Sequence, residues 1–346
     1  MAANSKKRTY RFTFGPWNIS TGGDPFGPPV RKELAFAAKL REYKKLGFDG
    51  VQLHDDDAVA EIDEAPAVVE RAAAKTKKLL DGEGLFCEFI APRLWEHPKT
   101  IDGGYTANNP AERKYALERS KRAIDIANAL GCKNIVLWLA REGTYIREAK
   151  DPIGSIQRIL DAVNALLDYD QTIRILGEMK PNEPMDQAYL PTPGHFLGLT
   201  YKTREPSRVG VLIESAHSIL AGLDPSDDMA YALWHGKLWG VHLNDQNGLK
   251  YDQDKAFGSV DLRRAFNTVW VLERGGYDGC IGLDVKAMRT TKPADQTRHL
   301  ANSREMFLRL LDVVRSVDEA QVEAFRAERD YEGLEMYVLS KLMGRA

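Results

Sequence analysis

The run ILGEMK (175–180) meets an acid, Glu178, at its C-terminal end, and three further apolar runs end in the same way: VLIESAH (211–217) at Glu214, WGVHLND (239–245) at His242 and IGLDVK (281–286) at Asp284. Each run is short and nearly continuous in apolarity, as expected of parallel strands covered on both faces. Similar runs, rich in Val, Ile, Leu, Phe and Trp, recur along the whole chain at residues 10–17, 50–54, 85–91, 134–140, 173–179, 209–214, 238–243 and 279–284. Between them lie amphipathic stretches such as ELAFAAKLREYKKLG (33–47), VVERAAAKTKKLLDGEG (68–84) and ERKYALERSKRAIDIANALG (112–131), each ending on a glycine suited to a left-handed helix cap.

Eight alternating units predict an α/β chain folded as an eight-stranded parallel (β/α)8 TIM barrel. A doubly wound open sheet is the rival, but no G-x-G-x-x-G or P-loop opens any of the helices. The barrel is expected over residues 1–315. Residues 316–346 fall outside the repeat and predict a C-terminal helical tail, packed on the barrel or on a neighbouring subunit.

Composition narrows the function. The 346 residues carry a formal net charge of −2, with no basic face or acidic run to suggest nucleic acid or membrane as a partner. The partner is expected to be a small molecule. The three cysteines, Cys87, Cys132 and Cys280, form no C-x-x-C pair, and no apolar segment approaches a membrane span. A cytoplasmic location is the expectation.

In such a barrel, chemistry belongs at the C-terminal ends of the strands. There the chain places His54 with Asp55, Asp56 and Asp57, then Trp138, Glu178 with Lys180, Glu214 with His217, His242 with Asn244, and Asp284. A further pair, Asp252 and Asp254, lies in the loop before the last strand. A single carboxylate at a strand end is ordinarily a cap or loop residue, and Asp55 and Asp56 read as turn residues. Several such acids together with histidines read as ligands for Mg²⁺, Mn²⁺ or Co²⁺. Glu178, Glu214, Asp252, Asp254 and Asp284 carry five negative charges, which two divalent cations and Lys180 would neutralise. Trp17, Trp95 and Trp138 read singly as core aromatics and jointly as the flat wall of a sugar site.

At these residues the chain resembles the short, actinobacterial-type xylose isomerases. The resemblance is carried by FGPWN (14–18), DPFG (24–27), LHDDD (53–57), GGYT (103–106), LW with REG (137–143), E-x-KPNEP (178–184), E-x-x-H (214–217), HLN (242–244), YDQDKAFG (251–258) and LD-x-K (283–286). It implies a first metal held by Glu178, Glu214, Asp284 and the residue at His242. A second is implied at Glu214, His217, Asp252 and Asp254; the histidine at position 242 of the first site shifts the expected cation toward Mn²⁺, with Mg²⁺ or Co²⁺ possible. It further implies that His54, oriented by Asp57, opens the sugar ring and that Lys180 polarises the substrate carbonyl. Trp17, Trp95 and Trp138 would line the sugar, with Phe26 reaching in from an adjacent subunit. The implied activity is aldose–ketose isomerisation by a metal-assisted 1,2-hydride shift, in a homodimer or homotetramer.

Departures from that family bear on the substrate. The position of His242 is an aspartate in the xylose isomerases, and a histidine there resembles rhamnose isomerase and the tagatose-epimerase group. The family's T-T-N-L-F reads I-A-P-R-L-W at 90–95, which puts Ala91 and Arg93 beside the pocket, and glycines after the strand-four tryptophan become Leu139 and Ala140. The tail is also shorter. These changes resemble the metal-binding large subunit of the C-glycoside deglycosidases, lyases that cleave 3-oxo-C-glucosides by elimination and work with a small partner subunit. That is the alternative function.

Overall fold

The computed structural model describes residues 8–24, 27–248 and 251–344. Eight parallel strands close into a barrel: β1 (Phe12–Phe14), β2 (Gly50–His54), β3 (Phe86–Ala91), β4 (Asn134–Trp138), β5 (Arg174–Glu178), β6 (Val209–Glu214), β7 (Leu238–Leu243) and β8 (Ile281–Leu283). They follow one another around the barrel in chain order, and β8 closes on β1 with Phe12 opposite Ile281 and Phe14 opposite Leu283. The predicted (β/α)8 barrel is the observed fold. Seven of the eight strands lie wholly or nearly wholly in buried positions, which is why their sequences read as continuous apolar runs.

Eight helices follow the strands as an outer layer: α1 (Phe36–Leu46), α2 (Pro66–Glu83), α3 (Pro110–Ala129), α4 (Pro152–Tyr169), α5 (Pro193–Thr200), α6 (Pro225–Trp234), α7 (Leu262–Arg274) and α8 (Arg298–Ser316). Several begin with proline in the first turn, where its missing N–H leaves nothing unpaired. Helices α1 and α2 stop at Gly47 and Gly84, whose φ values of 75° and 64° are left-handed caps. Beyond α8, helices α9 (Glu319–Glu328) and α10 (Tyr331–Leu342) fold back so that Val322 and Val338 join the main hydrophobic core. Among the described residues, no helix is long and apolar enough to cross a membrane.

The acidic run after β2 is built differently from a solvated turn. Asp55 is fully buried, and Arg119 of α3 reaches its two oxygens at 2.6 and 2.8 Å. The same carboxylate accepts from the backbone N–H groups of Asp56 and Arg93. It therefore ties the mouth of β2 to α3 and to the segment after β3. Removing one partner of a buried ion pair strands the other charge, at a cost of about 3–5 kcal/mol. Arg119→Met is expected to lose stability of that order in denaturant unfolding, whereas a loss below about 1 kcal/mol would show the pair to be dispensable. Glu142 does a similar task nearby, accepting from the backbone N–H groups of Gly104, Tyr105 and Thr106, which ties the REG and GGYT segments together.

Candidate metal centre

The C-terminal strand ends bring the predicted ligands to one place. Glu178 ends β5, Glu214 ends β6, His242 is the second-to-last residue of β7, and Asp284 follows β8. Register makes them neighbours, with Glu214 paired to His242 across β6 and β7, and His242 paired to Gly282 across β7 and β8. His242 Nδ1 lies 3.5 Å from Glu178 Oε1, 3.6 Å from Glu214 Oε2 and 3.9 Å from Asp284 Oδ2. Beside this group, His217 on the short helix Ser215–Leu220 places Nε2 at 3.3 Å from Glu214 Oε1 and 3.1 Å from Asp252 Oδ2. Two sets of converging ligand atoms result, Glu178–Glu214–His242 and Glu214–His217–Asp252, with Glu214 common to both.

Asp284 and Asp254 stand at the margin of these sets. Asp284 Oδ1 accepts from Trp17 Nε1 at 3.0 Å, and Asp254 Oδ2 is paired to Lys286 at 2.7 Å. Asn244 was expected at the mouth beside His242, whereas Lys286 was not. The Asn244 amide donates to Glu214 Oε1 at 2.7 Å, while its carbonyl accepts from Ser215 and from the Ala216 N–H.

The donor set fits a divalent cation. His242 Nδ1, His217 Nδ1 and Asp252 Oδ1 are buried with no hydrogen-bond partner, and they sit among carboxylates that are acceptors only when ionised. Such groups need a cation or protons between them. Burial, reinforced by the negative charges of Asp252 and Asp284, pushes the Glu214 carboxyl well above the usual range. Burial alone would favour a neutral His242, but the Glu178 carboxylate beside it raises its pKa well above that of a free imidazole. Without a metal, the cluster thus holds protons that a cation must displace, so metal affinity falls as pH falls. The group could hold a divalent cation through Glu178, Glu214 and His242, and a second through Glu214, His217 and Asp252.

Lys180 lies at the edge of the second set with only 6% of its side chain exposed, 3.0 Å from Asp252 and 2.8 Å from Glu183. Burial alone would lower its pKa, but those two carboxylates raise it, so the ammonium stays charged. Its Nζ is 5.6 Å from the centre of the Trp138 ring.

The aromatic residues form one wall. Trp17 lies 4.2 Å from the His54 ring, His54 lies 5.1 Å from Trp95, and Trp95 lies 4.5 Å from Trp138. Phe26 falls outside the described residues. His54 Nδ1 has two close neighbours, Asp57 Oδ2 at 2.8 Å and Arg93 Nη2 at 2.7 Å. A neutral imidazole nitrogen either donates to the first or accepts from the second, so Asp57 and Arg93 compete for it. Arg93 also bonds Asp56 at 2.8 Å and so, with Arg119, balances the charge of this acidic turn.

The model of a family described as xylose isomerase-like TIM barrel matches residues 40–311. Among solved structures, the 3-keto-D-glucoside 4-epimerase of E. coli superposes with a TM-score of 0.63 at 16% identity, covering 86% of this chain and 100% of its own. A D-tagatose 3-epimerase-like protein superposes with a TM-score of 0.64 at 15% identity, covering 88% and 98%. A D-psicose 3-epimerase, solved in the presence of D-fructose, gives 0.62 at 14%, covering 87% and 99%. At such identities the shared property is the fold.

Proposed function

The chain belongs to the xylose isomerase-like TIM barrels, and from that premise we propose that it is a divalent-metal-dependent aldose–ketose isomerase acting on an open-chain sugar. The observation that carries this reading is the buried, charged Lys180 beside the second ligand set and against Trp138. A fixed ammonium at that position suits a carbonyl oxygen that gains negative charge during reaction. The superposed structures bear the names of epimerases of D-psicose and of 3-keto-D-glucosides, which supports a carbohydrate as the substrate class.

Cations bound by Glu178, Glu214, His242 and Asp284, and by Glu214, His217, Asp252 and Asp254, would supply Lewis acidity toward the sugar oxygens. The rest of the work falls to the chain. Asp57 and Arg93 compete for His54 Nδ1, and either bond leaves Nε2 for the ring oxygen or a hydroxyl when the ring opens. Lys180 donates to the carbonyl oxygen. Trp17, Trp95 and Trp138 exclude water, so that the hydrogen on C2 passes to C1 as hydride while the proton on O2 passes to O1. Mn²⁺ is the favoured cation because an imidazole replaces one oxygen ligand at His242. His242→Asp is expected to tighten Mg²⁺ binding relative to Mn²⁺ by about tenfold, or 1.4 kcal/mol. Titration calorimetry with both ions checks this, and an unchanged ratio would contradict it.

One observation favours the lyase as a second reading. A cavity of about 1360 Å³, bordered by Asp24, Glu183, Asp252, Lys286, Arg289 and His299, opens beside the second ligand set. It exceeds the roughly 300–1,000 Å³ of ordinary small-molecule pockets and has room for an aglycone. The test is to incubate the Mn²⁺-loaded protein with aldoses, ketoses and 3-oxo-C-glucosides and to follow products by NMR. Isomerised sugar without aglycone release supports the isomerase. Aglycone release, especially if it needs a small partner protein, replaces it with the lyase.

A further inference from the structure

Below the ligand sets, the barrel interior holds a polar chain that neither the strand-end pattern nor the catalytic reading uses. Gln52 in β2 and Thr13 in β1 are completely buried, and Glu88 in β3 is nearly so. Glu88 Oε2 accepts from the Thr13 hydroxyl and from Gln52 Nε2, the latter at 3.1 Å, and Gln52 Oε1 lies 3.1 Å from His242 Nε2. The backbone is shaped for this contact. Val51 lies opposite Cys87 and Gln52 opposite Phe89, so Glu88 is an extra residue in β3, and a β-bulge of this kind re-aims a side chain. Gly282 of β8 leaves the space, since a Cβ there would lie 2.4 Å from Gln52 Nε2.

The polarity of this chain has one consistent solution. The Glu88 oxygen is an acceptor, so the Gln52 group facing it is the amide nitrogen. The amide carbonyl then faces His242, and it accepts only if Nε2 carries the hydrogen. That places the lone pair of the neutral ring on Nδ1, the buried and unpartnered nitrogen directed at Glu178, Glu214 and Asp284. Were the amide turned over, its NH₂ would face Nε2, the hydrogen would move to Nδ1, and the ring would no longer offer a lone pair to a cation.

We propose that Gln52 and Glu88 are positioning residues of the metal centre: Glu88 orients the Gln52 amide, and Gln52 holds His242 in the tautomer that presents Nδ1 to the cation. This rests on the reading of the Glu178–Glu214–His242 set as a metal site. Histidine ligands ordinarily owe their orientation to a direct carboxylate or carbonyl partner, and losing that partner weakens metal affinity about 10–100-fold. Here an amide is interposed, so a carboxylate that does not bond the ligand controls it from one residue further away.

The experiment is Mn²⁺ titration calorimetry on metal-free protein, with no substrate present, for the parent chain and for Gln52→Leu, Glu88→Gln, His242→Ala and the Gln52→Leu/His242→Ala double variant. The expected result for Gln52→Leu is an affinity loss of about 10–100-fold. Glu88→Gln, which keeps shape and polarity but frees the amide to turn, is expected to weaken Mn²⁺ in the same direction. Adding Gln52→Leu to His242→Ala is expected to cost no further affinity, because the glutamine acts only through that ring. A role confined to core packing would lower the melting temperature and leave these affinities alone. The proposal is overturned if Gln52→Leu and Glu88→Gln both bind Mn²⁺ within about twofold of the parent, or if the two losses in the double variant simply add. If the parent itself binds no divalent cation, the metal-site reading fails and the relay fails with it. Should Gln52→Leu not fold, the Glu88→Gln titration decides alone.

Discussion

Replacing Glu214 by glutamine is expected to abolish divalent-cation binding at both ligand sets and to lower turnover by at least about a thousandfold. Glu214 is the one carboxylate common to the two sets. Its Oε1 faces His217 at 3.3 Å and its Oε2 faces His242 at 3.6 Å. An amide offers one oxygen where the carboxylate offers two and carries no charge, so neither set keeps its ligands. The metal-free fold is expected to survive, because burial and the nearby Asp252 and Asp284 charges already favour a neutral Glu214 carboxyl, which an amide matches in shape and charge. Calorimetric titration with Mn²⁺ checks the binding, and a melting curve in chelator checks the fold. Retention of Mn²⁺ affinity within tenfold of the parent would remove Glu214 from the centre.

Lys180→Met is expected to leave Mn²⁺ binding within a few-fold of the parent while lowering kcat by about 10²–10³. Methionine fills much the same space, so the aromatic wall keeps its packing, and Asp252 still has His217 at 3.1 Å as a partner. What disappears is the charge that meets the developing oxyanion. Interactions made chiefly in the transition state appear in kcat more than in KM. Steady-state kinetics on whichever sugar is turned over provides the measurement. A kcat within tenfold of the parent would reduce Lys180 to a counter-ion for Asp252.

The barrel and most of the candidate site were legible because a buried parallel strand leaves a plain trace. VGVLIE is apolar until Glu214, and the acid marks where the strand leaves the core. The observed strands fall inside the expected runs and are mostly one to three residues shorter at their ends, since a run of apolar residues continues past the last ladder hydrogen bond. Less visible was anything that depends on which strands become neighbours. Asp55 looked like a turn residue, because nothing near it in sequence announces Arg119, which arrives from α3. Lys286 and Asp254 meet only because a loop and a strand end share the mouth. Gln52 and Glu88 did leave a signal, as polar residues inside the otherwise apolar interiors of GVQLH and FCEFIA. A polar side chain in a fully buried strand must find a partner inside the barrel, but sequence does not say that the partner is His242.

The account stands on the claim that this metal centre isomerises a sugar by moving hydrogen within one molecule. The direct test is to incubate the Mn²⁺-loaded protein in D₂O with aldoses deuterated or protonated at C2 and to follow C1 and C2 by NMR. The predicted result is a metal-dependent conversion of aldose to ketose in which the C2 hydrogen or deuterium appears at C1, with no exchange from solvent. Solvent deuterium at C1, or no conversion of any aldose or ketose by the metal-loaded protein, would contradict it.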